Sequence, residues 1–190
     1  MRRAGISEHD QARDRLFQEG ARSYLKAANA LIAFQREVQK KCRKVMARYV
    51  GEYGSALKVD LETSEIVDLA WPKFDEWEGE YASIGVHVVR RDIAGVRWWE
   101  AYCTLEWECD DPGFYCYVGE WFPTRKIATD LCQRFKRLNP EVEVFEGNIG
   151  IRHSLKPEQA PDFEERLDDL LQKWIKLWKK TGGMKAVFKP

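Results

Sequence analysis

No run of about 18 apolar residues occurs in this 190-residue chain, so no segment has the makings of a membrane-spanning helix. A charge excess of either sign is missing too. Lys plus Arg and Asp plus Glu both total 31, which leaves no net field to attract nucleic acid or an anionic lipid surface, and any such binding must come from a local patch. The five cysteines, Cys42, Cys103, Cys109, Cys116 and Cys132, contain no CxxC pair, which argues against a zinc site. Their odd number suits reduced thiols better than a disulfide framework. Two arginines follow Met1 without an apolar run behind them, so the N-terminus does not read as a secretory signal. A cytoplasmic protein is the expectation, with no membrane partner.

Catalytic signatures are equally scarce. Phosphate-cradling loops need closely spaced glycines between a strand and a helix, and neither GxGxxG nor GxxxxGK[ST] occurs. The GxSxG turn of a serine hydrolase is missing as well. Only three histidines exist, His9, His87 and His153, and no two have metal-ligand spacing. A general base at His87 would need a partner that the sequence does not identify. His153 keeps phase with Ile149, Ile151 and Leu155, which places it on or beside an apolar strand face. A metal-dependent nuclease sheet would supply an acid on one strand and Glu-x-Lys on the next, yet no Asp or Glu is followed two residues later by Lys. Neither cleavage of DNA or RNA, nor a metal or other cofactor, is expected.

Aromatic residues are what the chain has in excess. Eight Trp, seven Tyr and nine Phe make up 13% of it, enough to build a large core or to line a recognition surface.

The first fifty residues carry a helical stripe: Phe17, Ala21, Tyr24, Ala28, Leu31, Phe34, Val38, Cys42, Val45 and Tyr49 recur at steps of three or four. A helix from about Glu8 or Asp10 to Val50 is predicted, stopped by Gly51 and Gly54 and interruptible at Gly20. At 1.5 Å per residue it would run ~60 Å, longer than a domain of this size is wide. Either it breaks near Gly20, or part of it, along the stripe from Tyr24 to Tyr49, pairs with a second copy as a homodimer. Residues 56–61 alternate like a short strand, and the stretch through Trp71, Pro72 and Trp77 reads as a loop with a helical turn around Ile66.

Three alternating runs follow, Tyr81 to Arg91, Arg97 to Glu108 and Phe114 to Phe122, joined by Asp92-Ile93-Ala94-Gly95 and by Asp110-Asp111-Pro112-Gly113. They predict an antiparallel meander, the second connection having Pro and Gly where a type II turn wants them. Thr124 caps a helix with Ile127, Leu131, Phe135 and Leu138 on one face. Residues 141–146 and 149–155 flank the hairpin signal Gly147-Asn148. Asp162 and Glu165 have capping-box spacing before a final helix striped by Phe163, Leu167, Leu170, Leu171, Trp174 and Trp178, which Gly182-Gly183 ends. The order implies an α+β fold: an antiparallel or mixed sheet, made of the three-strand meander plus a hairpin, packed with a long N-terminal helix, a middle helix and a C-terminal helix. A helical segment over 1–55 and a sheet domain over 56–190 are expected to form one folding unit.

On the central run, Trp99, Ala101, Cys103, Leu105 and Trp107 alternate with Trp98, Glu100, Tyr102, Thr104, Glu106 and Glu108. One set is core. The other mixes rings with carboxylates, and the next strand adds either Tyr115, Tyr117 and Trp121 or Phe114, Cys116 and Val118 to it, according to register. Either a helix covers these rings, or Trp98, Glu100, Tyr102, Glu106 and Tyr117 form a partner-binding face on which rings give contact area and acids give orientation. Charge is segregated as well. Arg36, Lys40, Lys41, Arg43, Lys44 and Arg48 cluster on the long helix, and an acidic stretch over 60–80 follows. Mutual neutralisation or simple solvation is the expectation. The alternative is a nucleic-acid-binding set of Arg36, Lys40, Arg43, Lys44 and Arg48, helped by the lysines between 173 and 189. The function these features favour is a non-enzymatic intracellular binding protein that modulates or inhibits another macromolecule, of the inhibitor, immunity or anti-defence type, with a protein as partner. A nucleic-acid-binding protein on basic helices and a degenerate nuclease-like domain are the alternatives.

Overall fold

A computed structural model describes residues 8–61, 64–71, 81–93, 96–108, 113–145 and 148–187. The chain divides into two compact units, Met1–Glu37 and Val38–Pro190. Helix α1 (Glu8–Leu57) supplies all of the first unit's described structure and enters the second. Within Val38–Pro190, six strands form one antiparallel sheet: β1 (Ile66–Trp71), β2 (Tyr81–Ile93), β3 (Val96–Glu108), β4 (Phe114–Trp121), β5 (Val142–Phe145) and β6 (Asn148–Leu155), in the order β1-β2-β3-β4-β6-β5. Helix α2 (Arg125–Lys136) links β4 to β5, and α3 (Phe163–Thr181) follows β6 through a 3-10 turn at Pro157–Asp162. A short α4 (Met184–Val187) comes last. This is the α+β class that the hairpin-dominated sequence predicts.

The three runs of the meander appear as strands within two residues of their predicted ends. Parts of their connections, residues 94–95 and 109–112, lie outside the described residues, and so does the predicted type II turn. Gly147 of the second hairpin signal is outside them too, but β5 and β6 pair as expected. Thr124 does cap α2, its hydroxyl accepting the Ile127 N–H at 3.4 Å.

Several expectations are corrected. Gly51 and Gly54 do not stop α1, and no strand forms over 56–61. The helix runs on to Leu57 and ends at Lys58, a non-glycine residue in the left-handed region (φ 59°). The Val59 N–H reaches the Gly54 carbonyl at 3.0 Å and the Lys58 N–H reaches Ser55 at 3.3 Å, a Schellman arrangement. Gly54 serves this turn instead of breaking the helix, because a Cβ there would sit 2.8 Å from the Val59 oxygen. Gly20 causes no break either. The predicted helical turn around Ile66 is strand β1, whose pairing with β2 overrides its weak alternation. Asp162 makes no side-chain cap at α3, since the preceding 3-10 turn already occupies its backbone, and Gln159 accepts the Lys156 N–H instead. Leu138, expected on the apolar face of α2, is exposed beyond the helix end.

All helices of the second unit lie on one side of the sheet, the side carrying Val86, Val88, Trp99, Ala101, Cys103, Cys116, Val118, Ile149 and Ile151. From α1 come Val38, Cys42, Val45, Met46, Tyr53 and Leu57, all buried. The second half of the predicted dimer stripe therefore serves the chain's own core. Phe135 of α2 meets Trp174 and Trp178 of α3 edge-on at 5.1 and 5.2 Å between centroids. The thiols of Cys42, Cys103, Cys116 and Cys132 are free and buried, with burial pushing Cys116 up to about 12.

At the centre is a carboxylate. Glu120 on β4 keeps phase with Cys116 and Val118, is inaccessible to solvent, and accepts hydrogen bonds from four side chains. Trp99 of β3 donates to one oxygen at 3.0 Å, and Trp174 and Trp178 of α3 donate to the other at 2.9 and 2.5 Å. Tyr53 of α1 donates to that second oxygen as well. Trp174 also reaches the Tyr53 hydroxyl at 3.0 Å. Burial raises the Glu120 carboxyl more than the four donors lower it, leaving it at about 7.

Replacing Glu120 orphans indole donors that have no water to turn to. Each buried donor left unsatisfied costs about 1–3 kcal/mol, and Glu120→Gln, which sets an amide NH2 against an indole N–H, should cost at least that much in urea unfolding. The pH dependence has a fixed sign. A folded value near 7 against an ordinary carboxyl near 4.5 means the folded state holds a proton that the unfolded chain releases. This contribution is full below 4.5 and fades as pH rises through 7. The wild type minus Glu120→Gln stability difference should shrink over that interval, and a difference that does not change would contradict the assignment.

Candidate functional site

The opposite side of the sheet carries no helix among the described residues of this unit. Strand register decides which side chains meet there. Trp98, Glu100, Tyr102, Thr104 and Glu106 of β3 face Arg91, Val89, His87, Gly85 and Ser83 of β2. Across β4 the partners are Trp121 for Glu100, Gly119 for Tyr102, Tyr117 for Thr104 and Tyr115 for Glu106. Of the two registers open to the sequence, the one that joins Tyr115, Tyr117 and Trp121 to this face is adopted. Every predicted partner-binding residue, Trp98, Glu100, Tyr102, Glu106 and Tyr117, thus lies on one surface, each half-buried.

Glu100 organises the upper part of that surface. One carboxylate oxygen accepts from the Trp98 indole at 2.6 Å, and the other from the Tyr102 hydroxyl at 2.5 Å. His87 Nδ1 lies 3.1 Å from this second oxygen. The alternation of an extended strand sets Trp98, Glu100 and Tyr102 side by side, and the register brings His87 directly opposite Tyr102, where the two rings stack at 6.0 Å. Partial burial would raise the Glu100 carboxyl, but the hydrogen bonds from His87, Tyr102 and Trp98, and the charge on His87, outweigh it and hold the group at about 2. Glu100 is thirteen positions from His87, on the next strand, so no local spacing marks the two as partners.

The rim is cationic. The Arg91 guanidinium lies 4.8 Å over the Trp98 ring, and Arg152 of β6 lies 4.7 Å over Tyr115 while its Nε contacts Glu143 at 2.7 Å. Thr104, buried at the centre, donates to Glu106 at 3.2 Å. Beside it the Tyr117 ring lies over the paired glycines Gly119 and Gly150, and a Cβ at Gly150 would come within 2.5 Å of that ring. His153, by contrast, is exposed on β6 despite its apolar phase.

The basic set on α1 is differently placed. Arg43 pairs with Asp68 at 2.6 Å and also donates to the Ile66 carbonyl. Lys44 pairs with Glu164 at 2.6 Å, and Arg48 contacts both Glu164 and Asp168. Among the described residues, Asp68 of the acidic stretch and Glu164 and Asp168 of α3 share the neutralisation of this set. Arg36 belongs to the first unit, and Lys40 is exposed. Much of the acidic stretch, residues 62–63 and 72–80, lies outside the described residues. No group of three or more His, Cys, Asp or Glu among the described residues has a geometry for a metal ion, and no helix there is long and apolar enough to cross a membrane.

Because the folded Glu100 value is below the ordinary carboxyl value, the stability it confers is present above 4.5 and is lost as pH falls through about 2. Glu100→Gln should lower stability at neutral pH, and the gap from wild type should close on acidification. Acid titrations followed by circular dichroism test this, and a gap that stays constant to pH 2 would show that the network confers nothing.

Compared with protein-family models, with curated proteins and with solved structures, the chain matches none.

Proposed function

We propose that this chain is a non-enzymatic binding protein that modulates or inhibits another protein, and that the contact is made by the sheet face around Trp98, Glu100, Tyr102, Glu106 and Tyr117. The observation that carries this reading is the preassembled cluster on Glu100. A sheet face turned to water is ordinarily lined with independent polar side chains, whereas here rings and an acid are locked together by four side chains on two strands. Order of this kind reduces what a partner must immobilise on binding, which is how a modest surface reaches useful affinity. Trp and Tyr supply rigid contact area, and Arg91 and Arg152 at the rim supply donors.

A protein partner is favoured over nucleic acid by the charges. The face interleaves Glu100 and Glu106 with its rings, and Arg43, Lys44 and Arg48 already have carboxylate partners. Phosphate contacts would have to displace those pairs.

Trp98→Ala and Tyr102→Ala separate recognition from stability. Truncating a central interface ring costs ~2 kcal/mol or more in binding, roughly thirtyfold. Loss of one partly exposed hydrogen bond to Glu100 costs about 0.5–1.5 kcal/mol of folding stability. Proteins retained from a lysate by the wild-type chain should be released by both variants, while the melting temperature drops by only a few degrees. Retention of the same proteins by both variants would reject this face, and a salt-sensitive shift of DNA or RNA mobility that persists in them would favour the basic helix instead.

A further inference from the structure

Residues 16–34 of α1 carry an apolar surface that the described structure leaves exposed. Leu16 is 70% exposed, Phe17 79%, Tyr24 63%, Leu25 60% and Ile32 45%. Phe17, Tyr24 and Leu31 follow one another at seven-residue steps, as do Leu25 and Ile32. Continued along the helix, the first series reaches Val38 and Val45, and the second reaches Met46 and Tyr53, all buried in the core of the second unit. This spacing thus works as a packing seam where a partner surface is present. Between Leu16 and Phe34 the charged positions are Glu19, Arg22 and Lys26, and helix geometry sets all three on the side away from Phe17 and Tyr24.

We propose that the occupant of this seam is the same segment of a second copy, running antiparallel, an inference independent of the sheet-face reading. Size complementarity supports it. An antiparallel pair crossing between Arg22 and Ser23 puts Phe17 of each chain over Ala28 of the other, and Tyr24 over Ala21, a ring against a small residue at each of these four central layers. Area supports it as well. A buried ring removes about 150–250 Å² from water, so two rings with Leu25 and Ile32 remove on the order of 500 Å² per chain, and the pair reaches roughly the 1,000 Å² that a specific interface needs. A bilayer surface suits this helix less well, since its polar side mixes Glu19 with Arg22 and Lys26 where an interfacial helix would be strongly basic.

Sedimentation of the full chain across micromolar concentrations should give twice the single-chain mass of 22.3 kDa. Phe17→Glu combined with Tyr24→Glu should abolish the dimer, while near-ultraviolet circular dichroism of the buried tryptophans stays that of the wild type. Phe17→Ala and Ala28→Phe should each weaken association, and the two together should restore it, because residues 17 and 28 exchange sizes only across an antiparallel pair. A wild type at 22.3 kDa throughout, or a dimer that survives the glutamate pair, overturns the proposal. Failure of the size swap to restore association overturns the antiparallel register. If the glutamate pair disturbs folding, the wild-type mass and the swap still decide.

Discussion

A carboxylate shut away from water is the fixed point of this fold. Glu120 takes hydrogen bonds from Tyr53 on α1, Trp99 on β3 and two tryptophans on α3, so elements more than 120 residues apart converge on a single group. Hydrophobic burial alone is non-directional and would let these helices slide over an apolar sheet face. Indole N–H groups cannot accept and cannot be left dry, so each must point at the acid, and that requirement fixes where the helices sit. The cost is a group poised between its charged and neutral forms near neutrality.

Gathering the described helices of the unit on the Glu120 side leaves the reverse of the sheet to a second carboxylate with the opposite character. Glu100 is partly exposed, ionised well into acid, and surrounded by donors that also have surface to offer. The two acids are on adjacent strands and differ in what they organise: one holds the core together, the other holds rings together on the opposite face. A face arranged in this way spends part of its electrostatic capacity on itself.

Strand alternation made much of this legible. On β3 the two-residue period separated core from surface, because a one-residue slip would have put Trp99 and Cys103 in water, whereas the face of β4 stayed open between two registers until the strand pairing chose one. Where local signals met tertiary demands, reading failed. The glycines near the end of α1 look like stops, but Lys58 takes the left-handed turn that a glycine would ordinarily fill. Strand β1 hides because the acid Asp68 falls on its helix-facing side, where it stays exposed and pairs with Arg43. Glu120 was visible as an acid in phase with Cys116 and Val118, a conflict that periodicity can flag but not resolve, since its donors come from distant positions. His87 and Glu100 needed the strand pairing before they could be seen as neighbours.

The glycine pair under Tyr117 has a consequence for how this sequence can diverge. Gly119, Gly150 and the ring above them occupy one volume, so the three positions are not free to vary singly. A descendant that gains a methyl group at 150 must move or shrink the residue at 117, and with it one corner of the exposed aromatic surface. Drift in two apparently featureless positions of β4 and β6 would in this way be transmitted to the aromatic face, and the same two positions constrain how far that face can be remodelled without rebuilding the sheet beneath it.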